Sequence, residues 1–252
     1  MGSVGEYGLI KDAETFLTEN IASSAADGVK WFSAGDAGDT MFAISGSAAL
    51  GIHAAGALAA TANNLLEFNS ALTYLYAQTG HIAIETQFRM DAATYVAINF
   101  GLNDDCLETS NTLPVELSTA TWTANAGTYV GLALDTDATY DDFHCYWVNG
   151  GVGCATLSST IIQGKSQRLS GMSLAADRWY SLRVELQDRG SGYGARANFT
   201  VSDGTGKSAS RTFDTTIARD TALCYYLGIE QRTTCGAKNV YVRIPTIEFG
   251  TP

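Results

Sequence analysis

Three consecutive stretches decide the fold: Asp177-Arg-Trp-Tyr-Ser-Leu-Arg-Val-Glu-Leu186, the turn Gly190-Ser-Gly-Tyr-Gly194, and Ala195-Arg-Ala-Asn-Phe-Thr-Val201. In the first, Tyr180, Leu182, Val184 and Leu186 alternate with Arg183 and Glu185. In the last, Ala197, Phe199 and Val201 alternate with Arg196, Asn198 and Thr200. A period of two places one side-chain set on each face of a strand, so both stretches read as strands with one buried face. Glycines between them tolerate the positive φ of a tight turn, which makes the pair an antiparallel hairpin.

The same period recurs outward from this hairpin. Residues 81–90 put Ile82, Ile84, Phe88 and Met90 on one face, against Glu85, Gln87 and Arg89. Residues 95–102 align Val96, Ile98, Phe100 and Leu102; residues 128–134 align Val130, Leu132 and Leu134; residues 223–229 align Leu223, Tyr225, Leu227 and Ile229. Asn103-Asp104-Asp105, Asn149-Gly150 and Asp203-Gly204 read as turns. Near the end, Val240, Val242 and Ile244 are even-numbered while Ile247 and Phe249 are odd. That parity flips at Pro245-Thr246, where proline has no N–H for the ladder, so a β-bulge or edge break is expected there. Residues 33–62 are rich in Gly, Ala and Ser, with one strand candidate at residues 41–45. Residues 11–21 read either as a short helix capped by Asp12 or as an extended arm. The expected organisation is an N-terminal arm or short helix over residues 1–30 and one all-β domain over residues 31–252.

Composition narrows the class. The chain has 252 residues, 46% of them hydrophobic and 16% charged, with 26 Gly and only 3 Pro. A chain this long buries roughly 70% of its unfolded surface, so a large core is available. The net charge of −11 is opposite to the basic surplus of a nucleic-acid binder. Residues 48–62 are the most apolar run, but His53 interrupts a stretch of mainly Ala and Gly, and no membrane contact is expected. The first residues lack a basic segment followed by an apolar core, so synthesis in a cytosol is expected.

Few motifs point to chemistry. No Gly-x-Ser-x-Gly occurs, and His81 and His144 fall in strands. Gly164-Lys165-Ser166 and Gly206-Lys207-Ser208 lack the earlier glycine of a phosphate loop. The paired-carboxylate patterns of sandwich glycosidases are absent. No catalytic residue, cofactor or metal site is expected, and so no enzyme. The acidic run Asp135-Thr-Asp137-Ala-Thr-Tyr-Asp141-Asp142 suits calcium oxygen ligands in type, but reads better as a solvated turn. If Asn149-Gly150 is a two-residue hairpin loop, Cys145 stands opposite Cys154 in a non-hydrogen-bonded pair. That spacing allows a disulfide, or two free thiols facing each other. Cys106, Cys224 and Cys235 find no partner in this reading. Period two sends Trp147 and Tyr225 to the apolar face. Tyr146 and Tyr226 fall on the opposite face, as expected surface contacts for a sugar ring or a protein.

Several of these stretches carry a resemblance. Tyr129-Val-Gly-Leu-Ala-Leu-Asp135 followed by Phe143-His-Cys-Tyr-Trp-Val-Asn149, together with Ile82-Ala-Ile-Glu85 and Val96-Ala-Ile-Asn-Phe-Gly-Leu-Asn-Asp104, resembles a pattern in virion proteins of tailed bacteriophages. The opening hairpin resembles concanavalin-like (laminin-G-like) jelly rolls. The resemblance spans about residues 30–249. It implies a two-sheet antiparallel jelly-roll sandwich at the virion surface, as a capsid decoration or cement protein. Its implied partners are the major capsid protein and neighbouring copies of itself in a homo-oligomer. Arg178, Arg183, Arg189 and Arg196 are the expected local basic spots at such contacts. The alternative is a carbohydrate-binding, lectin-like module of a tail fibre or a free lectin, with a glycan as ligand.

Overall fold

A computed structural model describes residues 3–4, 9–16, 21–23, 30–106, 112–118, 121–154 and 167–250. In chain order the strands are β1 (Ser3–Val4), β2 (Leu9–Ala13), β3 (Ile21–Ala22), β4 (Trp31–Gly35), β5 (Thr40–Ser47), β6 (Gly51–Leu58) and β7 (Leu65–Tyr74). After one turn of helix, α1 (Tyr76–Thr79), come β8 (His81–Met90), β9 (Val96–Asn103), β10 (Val115–Ser118), β11 (Thr121–Ala124), β12 (Thr128–Asp135), β13 (Asp142–Asn149) and β14 (Val152–Gly153). The last six are β15 (Arg168–Ser173), β16 (Tyr180–Asp188), β17 (Ala195–Ser202), β18 (Ser208–Asp214), β19 (Leu223–Gln231) and β20 (Lys238–Gly250).

These strands make a two-sheet antiparallel jelly-roll sandwich. The first sheet runs β1-β2-β20-β8-β16-β17-β18, with β6 also on β20 and β5 on β6. The second runs β14-β13-β12-β9-β19-β7-β4-β3, with β15 on β13. The short β3–β4 pair is parallel. The inner faces meet in one core: Ile82, Ile84, Phe88, Leu182, Val184 and Phe199 from the first sheet, and Ile98, Phe100, Leu132, Cys145, Tyr225 and Leu227 from the second. The opening hairpin pairs as its period predicts, Val184 opposite Phe199 and Leu186 opposite Ala197.

The expected irregularity in the last strand is present. The register of β20 on β8 shifts between Arg243 and Thr246, and Ile244 has a φ of 47°. Before the shift β20 pairs with β6, and after it with β2. The bulge is thus where one strand exchanges partners on its far edge, and Pro245, with no N–H to give, contributes only its carbonyl, which accepts from Glu14 N at 2.9 Å.

The N-terminal segment departs from the helix expectation. Residues 9–13 are strand, with Lys11 opposite Glu248 and Asp12 opposite Ile247. An isolated helix of this length is marginal in water, whereas the free edge of β20 offers a full ladder. Phe16 then turns into the main core at 4% exposure, and Lys30 bonds Asp12 at 2.8 Å. Residues 9–16, the described part that follows β1, are therefore docked on the sandwich.

Candidate binding surfaces

One face of the second sheet points away from the main core. Its residues form rows across β12, β9 and β19: Asp135–Ala97–Glu230, Ala133–Asn99–Gly228, Gly131–Gly101–Tyr226 and Tyr129–Asn103–Cys224. In most antiparallel sandwiches such a face meets water. Here β9, β12 and β19 are buried on both faces. The hairpin β10–β11 lies across the face as a flap. Val115, Leu117 and Trp122 pack on Tyr129, Ala133, Tyr146 and Val148 in a second apolar core.

Polar side chains of the sheet hold this flap, and the end of the chain that leaves β9, by the backbone. Asn99 acts as a surrogate strand: its Oδ1 accepts from Val115 N at 2.8 Å and its Nδ2 donates to Val115 O at 3.0 Å. Asn69 Nδ2 donates to Cys106 O at 2.6 Å, and Asn103 Nδ2 to Asp105 O at 2.7 Å. Two glycines make room beneath. A Cβ on Gly131 would lie 2.2 Å from the Tyr129 hydroxyl, and one on Gly228 2.5 Å from the Tyr226 hydroxyl. The hydroxyl end of each tyrosine therefore lies over the glycine two residues on.

At one end of the face Arg232 gathers four carboxylates. Its Nη1 bonds Glu230 at 2.8 Å and Glu116 at 3.1 Å, and its Nε faces Asp135 at 3.2 Å and Asp137 at 3.8 Å. Nη2 donates to Leu117 O at 2.6 Å. Burial raises the pKa of Glu230 to about 7 and of Asp135 to about 6, with Arg232 opposing the shift in both. Carboxyls poised near neutrality are what general acid–base catalysis uses. These two, however, are fully or almost fully enclosed and engaged by the guanidinium. What the arrangement does chemically is fasten the flap, since Glu116 and Leu117 belong to β10.

Several expectations change on this geometry. Tyr146 and Tyr226 do lie on the face opposite the main core, but both are buried, at 1% and 0% exposure, because the flap covers the face where period two placed them. Asp135 is no solvated turn residue; it is enclosed against Arg232. The four expected basic spots are each matched by acid: Arg183 by Glu85, Glu185 and Glu248, Arg178 by Asp203, and Arg189 and Arg196 by Asp214. The Cys145–Cys154 pairing fails on register. The tight turn is Gly150-Gly151, with φ of 59° and 75°, so Val148 faces Gly153 and Asn149 faces Val152. A turn needing positive φ at both central positions takes Gly-Gly over Asn-Gly. Cys154 N then bonds Trp147 O at 2.8 Å, two residues away from Cys145, and both thiols are free. His144 sits under Trp122, and burial pushes its pKa down to about 4. The Gly164 turn lies outside the described residues.

Among the described residues two open surfaces stand out. One is a shallow groove of about 380 Å³ between the flap and the β13–β14 turn, lined by Thr121, Trp122, Thr123, Tyr146, Val152 and Gly153. The other is the β5–β6 hairpin. Beyond Ala54, the partner of Val242, it is no longer paired to β20, and seven of the eight residues of β5 are exposed. Met41, Ile44 and Ile52 are 36%, 38% and 47% exposed, and Ile244 beside them 45%. No Asp, Glu, Lys or Arg occurs between Asp39 and Glu67. Among the described residues no strand pairs with the outer edge of β5.

No protein-family model matches the chain, and no curated protein matches it in sequence. Solved structures do match it. The potassium-bound carbohydrate recognition domain of Emp46p is 10% identical over 86% of this chain and 88% of its own, with a TM-score of 0.53. Peanut lectin is 9% identical over 94% and 97%, with a TM-score of 0.52. The marine PL-14 alginate lyase from Aplysia kurodai is 8% identical over 93% and 97%, with a TM-score of 0.55. The chain is thus an all-β sandwich of the concanavalin-like jelly-roll type, the fold of these lectins and of that lyase. Likeness at this level of identity speaks to the fold, and function has to come from the surfaces.

Proposed function

We propose that the protein is a structural, non-enzymatic sandwich that works in many copies at a surface, as a decoration protein outside a tailed-phage capsid. Its partners in this reading are the major capsid protein and neighbouring copies, with no cofactor, nucleic acid or membrane. The observation that carries the reading is the β5–β6 hairpin. An exposed edge strand is ordinarily blunted with charge, proline or a covering loop, because its free N–H and C=O groups recruit another chain. This one is uncharged, apolar and open, in a molecule with a net charge of −11. Copies that repel elsewhere meet at such a strip without a Coulombic cost. Many weak contacts of this kind gain strength through valency. The resemblance of residues 82–105 and 129–149 to tailed-phage virion proteins supplies the setting. The closed outer face of the second sheet agrees, since a flap pinned by Asn99 and Arg232 builds a rigid body.

The test is particle mass spectrometry with a matched variant. Hundreds of copies per particle are expected, and Ile44→Lys with Ile52→Lys should abolish particle binding and self-association while leaving the far-ultraviolet circular dichroism unchanged. Absence from particles, or undiminished binding by the variant, overturns the reading. A second reading, a lectin-like module, is supported by the groove, which combines an indole with two threonine hydroxyls, the aromatic-and-polar lining that small-molecule sites use. Glycan-array binding lost on Val152→Glu at the groove rim favours it.

A further inference from the structure

We propose that Cys106 and Cys224 form a covalent cross-link site, a disulfide that closes in an oxidising medium and ties the chain leading into the flap to β19. Cys224 stands opposite Asn103 across β9 and β19. The chain leaves β9 at Asn103 and curls back, so that the Cys224 thiol donates to Asp105 O at 3.4 Å. Asn103 holds the same carbonyl, and Asn69 holds that of Cys106. Two side-chain amides and the Cys224 thiol thus fix the backbone that presents Cys106, and the two thiols are near enough to shift each other's ionisation. The other three cysteines lack this arrangement. Cys145 faces the main core, Cys154 is out of register with it, and Cys235 sits against Lys238 and Gln231.

The chemistry divides between the two sulfurs. Cys224 is fully buried, and its interaction with Cys106, with burial, holds its pKa well up. Cys106 is half-buried, and its interaction with the neighbouring Cys224 thiol lowers its pKa, making it the better attacking nucleophile. It attacks a small external disulfide of the glutathione type, forming a mixed disulfide and releasing one thiol. Cys224 then gives up its proton, attacks the Cys106 sulfur and expels the second thiol. Two protein thiols are oxidised and one external disulfide is reduced to two thiols.

The isolated full-length chain tests this, whatever particle it belongs to. After incubation with oxidised glutathione, thiol titration should fall by two of the five cysteines, and non-reducing peptide mapping should join Cys106 to Cys224. Cys224→Ser should trap glutathione on Cys106. Amide exchange in β10 should slow on oxidation of the native chain and not of Cys106→Ser, whose circular dichroism should match. Five alkylatable thiols after oxidation of the folded protein, or a bridge from Cys145 to Cys154, overturns the proposal.

Discussion

Arg232 shows most sharply how one residue holds a surface together. Four carboxylates surround it, and two of them, Asp135 and Glu230, are shut off from water. Arg232→Ala leaves those charges enclosed without a partner, which costs about 3–5 kcal/mol for a buried pair; urea unfolding should show the loss. The pH behaviour follows from the same group. Glu230 and Asp135 have raised pKa values, about 7 and 6 against ordinary values of 4.5 and 3.8. The folded state therefore keeps these protons to a higher pH than the unfolded state does. Their contribution is complete at acid pH and declines as pH rises through those values. Buried His144, lowered to about 4 from 6.5, has the opposite sign: its contribution is present above 6.5 and lost as pH falls toward 4. Glu230→Gln should remove the Glu230 share of the pH dependence between pH 4.5 and 7, read against the parent as a smaller drop of the urea midpoint over that range, with the contributions of Asp135 and His144 left in place. Little of this cluster was legible in the chain. Asp135 and Glu230 are far apart in sequence, and only the rows across β12, β9 and β19 bring them together on Arg232.

At the scale of elements, the glycines under the flap do what the alternation pattern does not announce. Tyr129-Val-Gly131 and Tyr226-Leu-Gly228 repeat one device: a ring folds forward along its strand over a missing Cβ. Gly131→Ala puts a methyl group into the Tyr129 hydroxyl and Phe100 O. Overpacking of this kind costs about 1–3 kcal/mol, measurable as a lower melting temperature. The spacing Tyr-x-Gly was the available signal that these tyrosines lie under something. Period two by itself separates faces and does not say whether a face is wet, so Tyr146 and Tyr226 read as exposed. The β13–β14 hairpin gives the same lesson for register. Asn149-Gly150 and Gly150-Gly151 are both good turns, and a shift of one residue in the loop moves Cys154 from opposite Cys145 to opposite Trp147.

For the molecule as a whole, the two chain ends share a sheet edge. β2 is zipped to the last part of β20, and Phe16 is part of the main core. Removing residues 1–16 should cost at least what Phe16→Ala alone does, about 3–5 kcal/mol, and should expose β20 to association. Calorimetry and sedimentation of the truncated chain check both; an unchanged melting temperature would show the segment to be a free arm. The strands, their inward faces and the bulge at Pro245 were determined by the sequence itself. Each depends on neighbours one or two residues away, through side-chain alternation, turn glycines and a missing N–H. Which edge pairs with which, that residues 9–13 become strand, and that one sheet is roofed by a flap were decided only by the tertiary structure. Those outcomes depend on what lies across the fold: the free edge of β20, the amides of Asn69, Asn99 and Asn103, and an arginine whose partners come from three separate parts of the chain.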